Sequence, residues 1–330
     1  MQAVFIGLTT LDVAQLVSKT VAENQKVTSL AQLICAGGPA TNAAVTFARL
    51  EAKKAAASQN QTKVRPYIKT SLLSALGKGK TAEIIRADLQ ENQVNAYDCT
   101  DFGDATQTDF TTAVSTIFVN RSNGARTLAS TNSRLPLTVQ LVEPVVNDQP
   151  TAVMLVDGHN PKLAEAALKA HLPQAHSVES FAAADPFAAV ETKPNYLRIL
   201  DGGSWKPWLP SLLPFIDVAI ISADFTTPLG GGLESTVEFL RGFGITKVIQ
   251  TNGEASVRWF WENETGQVEV PQVETVCTLG AGDIFHGAFA WYCADQGNLQ
   301  STGQVVKAIE FASSIAAKSV QTFGTRPDNW

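Results

Sequence analysis

Short apolar runs that end on a small or acidic residue, with helical stretches between several of them, constrain this chain more than any other feature. Ala3-Val4-Phe5-Ile6 stops at Gly7, Ala152 to Val156 at Asp157, Leu197 to Leu200 at Asp201, Val218 to Ile221 at Ser222, and Lys247 to Gln250 at Thr251. Runs this short and this apolar fit strands buried on both faces, and helices such as Pro161 to Ala170 and Leu233 to Arg241 supply the cover. The expected class is therefore α/β, with a central, mostly parallel sheet between helices. Ligands of such sheets gather beyond the carboxyl ends of the strands, where Asp157, Asp201, Ser222, Thr251 and Gly253 fall.

Two glycine-rich stretches open helices in this frame. The late one, Thr278-Leu279-Gly280-Ala281-Gly282-Asp283, runs into an almost unbroken apolar helix carrying Ile284, Phe285, Ala288 and Phe289. The first amides of a helix lack partners within it, so this entrance favours an anion, and Asp283 in the same turn faces whatever the amides hold. Phosphoryl transfer suits such a site, although a plain helix cap fits the same letters. The early stretch, Gly37-Gly38-Pro39-Ala40-Thr41-Asn42, opens a helix over Ala43 to Leu50. Asn42 there offers donors and an acceptor to a polar ligand.

Other segments carry less chemistry. Glu51 to Lys63, rich in Ala, Lys and Gln, and the irregular 171–194 read as surface insertions. Gly77-Lys78-Gly79-Lys80-Thr81 lacks the glycine that a phosphate loop needs at position 74, which is Ser74, so it reads as a turn into the helix Ala82 to Glu91. Alternation from Ala96 to Leu128 breaks at Asn123-Gly124, a hairpin signal. His286 is expected to be packed or hydrogen-bonded in the core. His159, at a strand end, is within reach of a ligand, Arg126 reads as an exposed hairpin arginine, and Trp205 and Trp208 as fillers beneath loops.

Net charge is −6 over 330 residues, which disfavours a nucleic-acid backbone or an anionic membrane as partner. Four scattered cysteines, no basic leader and no bilayer-length apolar run lead to an expected cytoplasmic location.

Taken together, the two motifs make the chain resemble the ribokinase (PfkB-type) family of carbohydrate kinases over nearly its whole length, the two insertions apart. The wording of TLGAGD and of Ser222-Ala223-Asp224 is similar to ketohexokinase-like and sulfosugar-kinase-like members. The resemblance implies one ribokinase-like domain over 1–330, with a small β-sheet lid from about 13–35 and 99–119. It also implies transfer of the γ-phosphoryl of ATP, with Mg²⁺, to a sugar hydroxyl. Asp283 becomes the general base, and the amides of Gly280, Ala281 and Gly282 the anion hole. Asp12, Gly37, Gly38 and Asn42 become sugar-binding residues, while Thr251, Gly253, Ser313 and Ala316 border the nucleotide.

Members commonly carry Asp where this chain has Cys277, so monovalent-cation activation is not expected. The usual Asn-x-x-Glu reads Ser222-Ala223-Asp224-Phe225, which leaves the metal ligands unassigned and Asp224 able to act only through water. A nucleoside kinase of the same fold, or a relative that binds sugar or nucleotide without turnover, are the alternatives. Exposed edges of a small sheet tend to be paired or covered, so a homodimer through the lid is expected.

Overall fold

A computed structural model describes residues 1–57, 66–100, 112–131, 150–170, 195–297 and 299–327. A sheet of nine strands forms the centre. Its strands are β1 (Gln2–Ile6), β4 (Lys69–Ser74), β5 (Val94–Asp98), β8 (Thr151–Val156), β9 (Leu197–Gly202), β10 (Val218–Ser222), β11 (Lys247–Asn252), β12 (Ala255–Trp261) and β13 (Glu264–Val268). They lie in the order β13-β12-β11-β10-β9-β8-β1-β4-β5. All neighbours from β11 to β5 are parallel, and only the β11-β12-β13 edge is antiparallel. The four remaining strands, β2 (Thr10–Val17), β3 (Ala31–Gly37), β6 (Val114–Asn120) and β7 (Arg126–Ser130), make a separate sheet in the order β3-β2-β6-β7.

Alternation along the buried strands divides the core in two. Ala3 and Phe5 of β1 face one layer, packed with α1 (Pro39–Ala57), α5 (Ala281–Gln296) and α6 (Thr302–Val320). Val4 and Ile6 face the other, with α3 (Pro161–Ala170) and α4 (Gly232–Arg241). The remaining helix, α2 (Lys80–Glu91), follows β4. Because β1, β4, β8, β9 and β10 are buried on both faces over most of their length, the open ground lies at the strand ends, where the connecting loops converge.

Several expectations change. The helix that opens at Pro39 does not stop at Leu50 but runs to Ala57, so Glu51 to Ala57 belong to the fold; positions 58–63 of the supposed insertion, like 171–194, lie outside the described residues. Glu51 is 2% exposed. Its carboxylate accepts from the Ile68 amide at 2.8 Å and from Trp291 Nε1 at 3.0 Å, tying α1 to β4 and α5. Glu51→Ala leaves two buried donors without that acceptor, and a loss of about 2–4 kcal/mol is expected in urea unfolding, with Glu51→Gln falling between. A loss under about 0.5 kcal/mol for the alanine variant would show that water replaces the carboxylate.

The small sheet runs over 10–17, 31–37, 114–120 and 126–130, so it gains a fourth strand beyond the expected lid. Val94–Asp98 instead pairs with the large sheet, and 101–111 lie outside the described residues. The Gly77–Lys80 turn is structural: Asp98 Oδ1 accepts from the amides of Leu76 and Gly77 at 3.0 and 3.4 Å. No described helix is long and apolar enough to cross a membrane.

Candidate active site

Both glycine-rich entrances are helix N-termini, and the structure treats them oppositely. At the α1 entrance, the Asp157 carboxylate accepts from the Leu8 amide at 2.9 Å, the Ala40 amide at 3.2 Å and the His159 amide at 2.8 Å. That carboxylate plugs the helix end with the protein's own negative charge. It also explains Gly7, where a Cβ would fall 2.1 Å from the Asp157 carboxyl. Gly38 sits at φ +101 with the Leu8 carbonyl 2.3 Å from where its Cβ would be, so only glycine fits.

Among the described residues the α5 entrance has no such plug. Gly280 precedes the helix in the left-handed region, at φ 69, and no side chain caps the end. The Ala281 amide makes a long 3.4 Å turn bond to the Thr278 carbonyl, and no cap closes the turn that follows. Asp283 lies in the first turn of the helix, and its side chain turns to α1 rather than bonding the helix's own amides. Its Oδ2 accepts from Asn42 Nδ2 at 2.8 Å, a contact across the α1–α5 interface. Burial pushes the Asp283 carboxyl up to about 7, and the nearby Asp201 carboxylate adds to the rise. The Asn42 hydrogen bond, His286 and Arg126 oppose it.

Beneath Asp283 lies a buried polar layer. His286, 4% exposed, places Nδ1 2.6 Å from the Gly282 carbonyl and Nε2 3.2 Å from the Ile220 carbonyl, fastening the first turn of α5 to β10. The Asp201 carboxylate stands 3.5 Å from the same ring, and burial raises its proton affinity, with His286 opposing. The expectation of a hydrogen-bonded core histidine thus holds. His159 lies beside Asp157, and burial lowers the proton affinity of its ring.

The small sheet reaches the same loop. The β6–β7 turn at Asn123-Gly124 docks on it, with Thr278 Oγ1 donating to the Gly124 carbonyl at 3.1 Å. Arg126 is exposed on the hairpin, as expected, and donates to the Thr278 carbonyl at 2.8 Å. Cys277 is buried with Leu279 among Ala14, Leu16, Ile117 and Val119 of that sheet. A carboxylate in this apolar setting would be costly, so a cysteine suits the position.

Among the residues expected to hold a sugar, Asp12 is 5% exposed and accepts from Thr10 Oγ1 at 2.7 Å. Burial raises its proton affinity, against hydrogen bonds from Thr10 and Ser115 and the charge of Arg326. A Cβ at Gly37 would fall 2.0 Å from the Asp12 carboxyl, so these two residues are packed together. Thr251, the penultimate residue of β11, donates a long 3.5 Å bond to the Ile221 carbonyl, and Gly253 forms the exposed turn to β12 at φ +57. Ser313 is buried with its Oγ lacking a hydrogen-bond partner, while Ala316 is partly exposed on α6. Asp224 is exposed in the turn after β10. Trp205 packs edge-on between Phe225 and Phe239, and Trp208 donates to the Gly158 carbonyl at 2.8 Å.

Two further residues, of which the sequence places only Asp157 at the strand ends, hold this set together. Asp157 clamps the α1 entrance, as described. Arg326, near the C-terminus, donates to Asn42 Oδ1 at 3.0 Å. Neither sits in a motif, and only their tertiary partners reveal these contacts.

The pfkB family carbohydrate kinase model matches residues 2–330. A deoxyribokinase of Salmonella typhi is 34% identical over 80 residues, which is 24% of this chain and 26% of that protein. The chain thus matches about a quarter of the length of this curated relative. A putative ribokinase from Agrobacterium tumefaciens superposes with a TM-score of 0.71 at 22% identity, covering 98% of this chain and 92% of the other. The Arabidopsis thaliana ribokinase complexed with ribose and ATP gives a TM-score of 0.66 at 17% identity, over 99% and 96% of the two chains. At these identities the superpositions establish a shared fold.

Proposed function

Because the chain belongs to the pfkB family of carbohydrate kinases, we propose that it transfers the γ-phosphoryl of ATP to a hydroxyl of a sugar-like acceptor, with Asp283 as general base. The observation that carries this reading is a carboxyl placed in the first turn of an uncapped helix entrance, with a proton affinity raised to about 7. A base poised near the working pH accepts a hydroxyl proton without staying protonated beforehand. Asn42 occupies Oδ2 of the carboxylate, which leaves Oδ1 for the acceptor hydroxyl.

As the oxygen attacks, negative charge spreads over the travelling phosphoryl group. The open amides at Gly280, Ala281 and Gly282 are aligned to receive it, the long Ala281 turn bond yielding to the stronger acceptor. Asp12, Gly37, Gly38 and Asn42 form the sugar floor, with the small sheet as lid above it. The nucleotide lies along Thr251, Gly253, Ser313 and Ala316. The Arabidopsis relative complexed with ribose and ATP supports a sugar and ATP as the two ligands.

Among the described residues no group of three or more His, Cys, Asp or Glu could hold a metal ion. A Mg²⁺ would then be held by the nucleotide phosphates and water, with exposed Asp224 as a contact through water, and would neutralise phosphate charge. The outer face of the lid exposes Ile34 and Val114, the surface on which a homodimer would form.

The test is ADP release with ATP and Mg²⁺ over pentoses, ketoses, aldoses, sugar acids and nucleosides. A sugar is expected to exceed every nucleoside at least ~10-fold in kcat/KM, a margin of about 1.4 kcal/mol. The rate should rise through about pH 7 as Asp283 loses its proton, then level off. Preference for a nucleoside would replace the sugar assignment. Binding of ATP and sugar with no turnover of any acceptor would leave a non-catalytic relative.

A further inference from the structure

Arg326 stands outside both motifs, yet its guanidinium gathers the elements around Asp283. It donates to Asn42 Oδ1 at 3.0 Å, to the Ala36 carbonyl of β3 at 2.5 Å, to Thr325 Oγ1 at 2.8 Å and to Asp88 Oδ2 of α2 at 3.2 Å. Asp88 Oδ2 in turn accepts from the Ala36 amide at 3.1 Å. The side chain is 11% exposed. Thr325 itself packs against the helix entrance, its methyl 2.6 Å from where a Cβ of Gly280 would stand.

An amide side chain has two faces of similar shape and opposite polarity, so its orientation depends on its neighbours. A guanidinium can only donate. It therefore holds the oxygen of Asn42 on its own side and turns the NH₂ toward Asp283, where Nδ2 lies 2.8 Å from Oδ2. We propose that Arg326 is a positioning residue for phosphoryl transfer: through Asn42 it keeps a hydrogen-bond donor on Asp283 and so favours the deprotonated base. This rests on the reading of Asp283 as general base, and it adds a control point at the root of the lid, since the same guanidinium holds β3.

Without Arg326, Asn42 is free to present its oxygen to Asp283, a contact that only the protonated acid can satisfy. The carboxyl then holds its proton to higher pH. The other charged groups facing Asp283 are Asp201 on β9, His286 on its own helix and Arg126 on β7. Those facing Arg326 are Asp88 on α2 and Asp12 on β2, with the Cys35 thiol of β3 beside them. None of them touches the Asn42 amide, so an effect that runs through Asn42 can be separated from a direct field of the arginine charge.

The experiment is a double-mutant cycle of Arg326→Met and Asn42→Ala in the full chain. It is read by the ¹³C-carboxyl titration of Asp283, whose resonance is identified by its loss in Asp283→Asn. Arg326→Met and Asn42→Ala should each move the midpoint upward by roughly half a pH unit or more, and the double variant no further than Asn42→Ala. In kinetics with the acceptor found by the panel, the acid limb of kcat for Arg326→Met should move by the same amount, with KM for ATP unchanged.

An unmoved midpoint in folded Arg326→Met, or a double variant showing the sum of both shifts, overturns the proposal. If Arg326→Met fails to fold, Arg326→Lys takes its place. An ammonium cannot span Asn42, Ala36 and Asp88 as the fork does, so an upward shift is again expected, and it must vanish in the Asn42→Ala background. The titration needs no substrate. A shifted midpoint in a protein without kinase activity would therefore keep the Asn42 linkage while removing the base assignment, and normal activity with an unmoved midpoint would do the reverse.

Discussion

Asp283→Asn is expected to lower kcat about 10²- to 10⁴-fold while ATP and sugar still bind, because the change removes a proton acceptor and almost nothing else. The amide is nearly isosteric, and its oxygen can still accept from Asn42 Nδ2, now 2.8 Å from Oδ2. The variant should also lose the rise in rate through about pH 7. Stability should move the other way. An aspartate in the unfolded chain titrates near 3.9, whereas this one is raised to about 7 in the fold. Between those values the folded state holds a proton that the unfolded state has released, so stability falls as pH rises from about 4 through about 7. The neutral amide of the variant carries no such penalty. At pH 8 the variant should be more stable than the parent by about 1–2 kcal/mol, roughly 2–4 °C in Tm, with the gap closing below pH 4. Thermal melts at both pH values and single-turnover rates check the two halves. An unchanged kcat would remove Asp283 from the chemistry, and an Asp283→Asn protein no more stable at pH 8 would mean that the carboxyl is not raised.

How far such a site can be read from sequence depends on whether its parts are local. The α5 entrance is local: a glycine turn, an acid in the first helical turn and an apolar run behind it are adjacent letters, and the structure keeps them as one unit. The buried strands are local in the same sense, since Val218–Ser222 or Thr151–Val156 is apolar along its length. Composition misleads where a polar residue is buried by a distant partner. Glu51 sits in an Ala- and Lys-rich stretch that looks like surface, yet Trp291, 240 positions away, claims its carboxylate. The β12–β13 edge mixes aromatic and charged residues and shows no simple alternation to read, so its strands emerge only from pairing with β11. Arg126 is exposed, as it reads, but its bond to the Thr278 carbonyl, 152 positions on, appears only once the hairpin folds. The position of Asp157 at a strand end is legible, whereas its clamp on the α1 entrance and every contact of Arg326 are not. Each is an ordinary charged residue in its own stretch, and its role is set by amides and carbonyls that only the tertiary fold brings near.

Gly287→Ala should unfold or severely weaken the protein through a contact that no rotamer can relieve. Gly287 lies on the face of α5 that meets α1, and a Cβ there would stand 2.3 Å from the Ala43 carbonyl oxygen and 2.9 Å from the Ala43 Cα. These are backbone atoms, so one helix must move away from the other. Phe289 and Ala288 of α5 and Ala44 and Phe47 of α1 are fully buried in the same core, and separation strips packing from all of them. Overpacking of this kind costs about 1–3 kcal/mol, and with rigid atoms on both sides about 3 kcal/mol or more is expected here. Helix propensity alone would favour alanine by about 1 kcal/mol, so the sign of the measured change decides whether close approach or propensity governs. The same displacement has a chemical consequence. Asn42 precedes Ala43 on α1 and reaches Asp283 on α5, so a shift of about an ångström between the helices breaks the 2.8 Å bond that holds the Asp283 carboxyl, the proposed base. A folded Gly287→Ala protein should therefore lose at least ~10-fold in kcat, about 1.4 kcal/mol in the barrier, together with an upward move of the Asp283 titration. A variant as stable and as active as the parent would show that α1 and α5 do not hold the spacing on which the site depends.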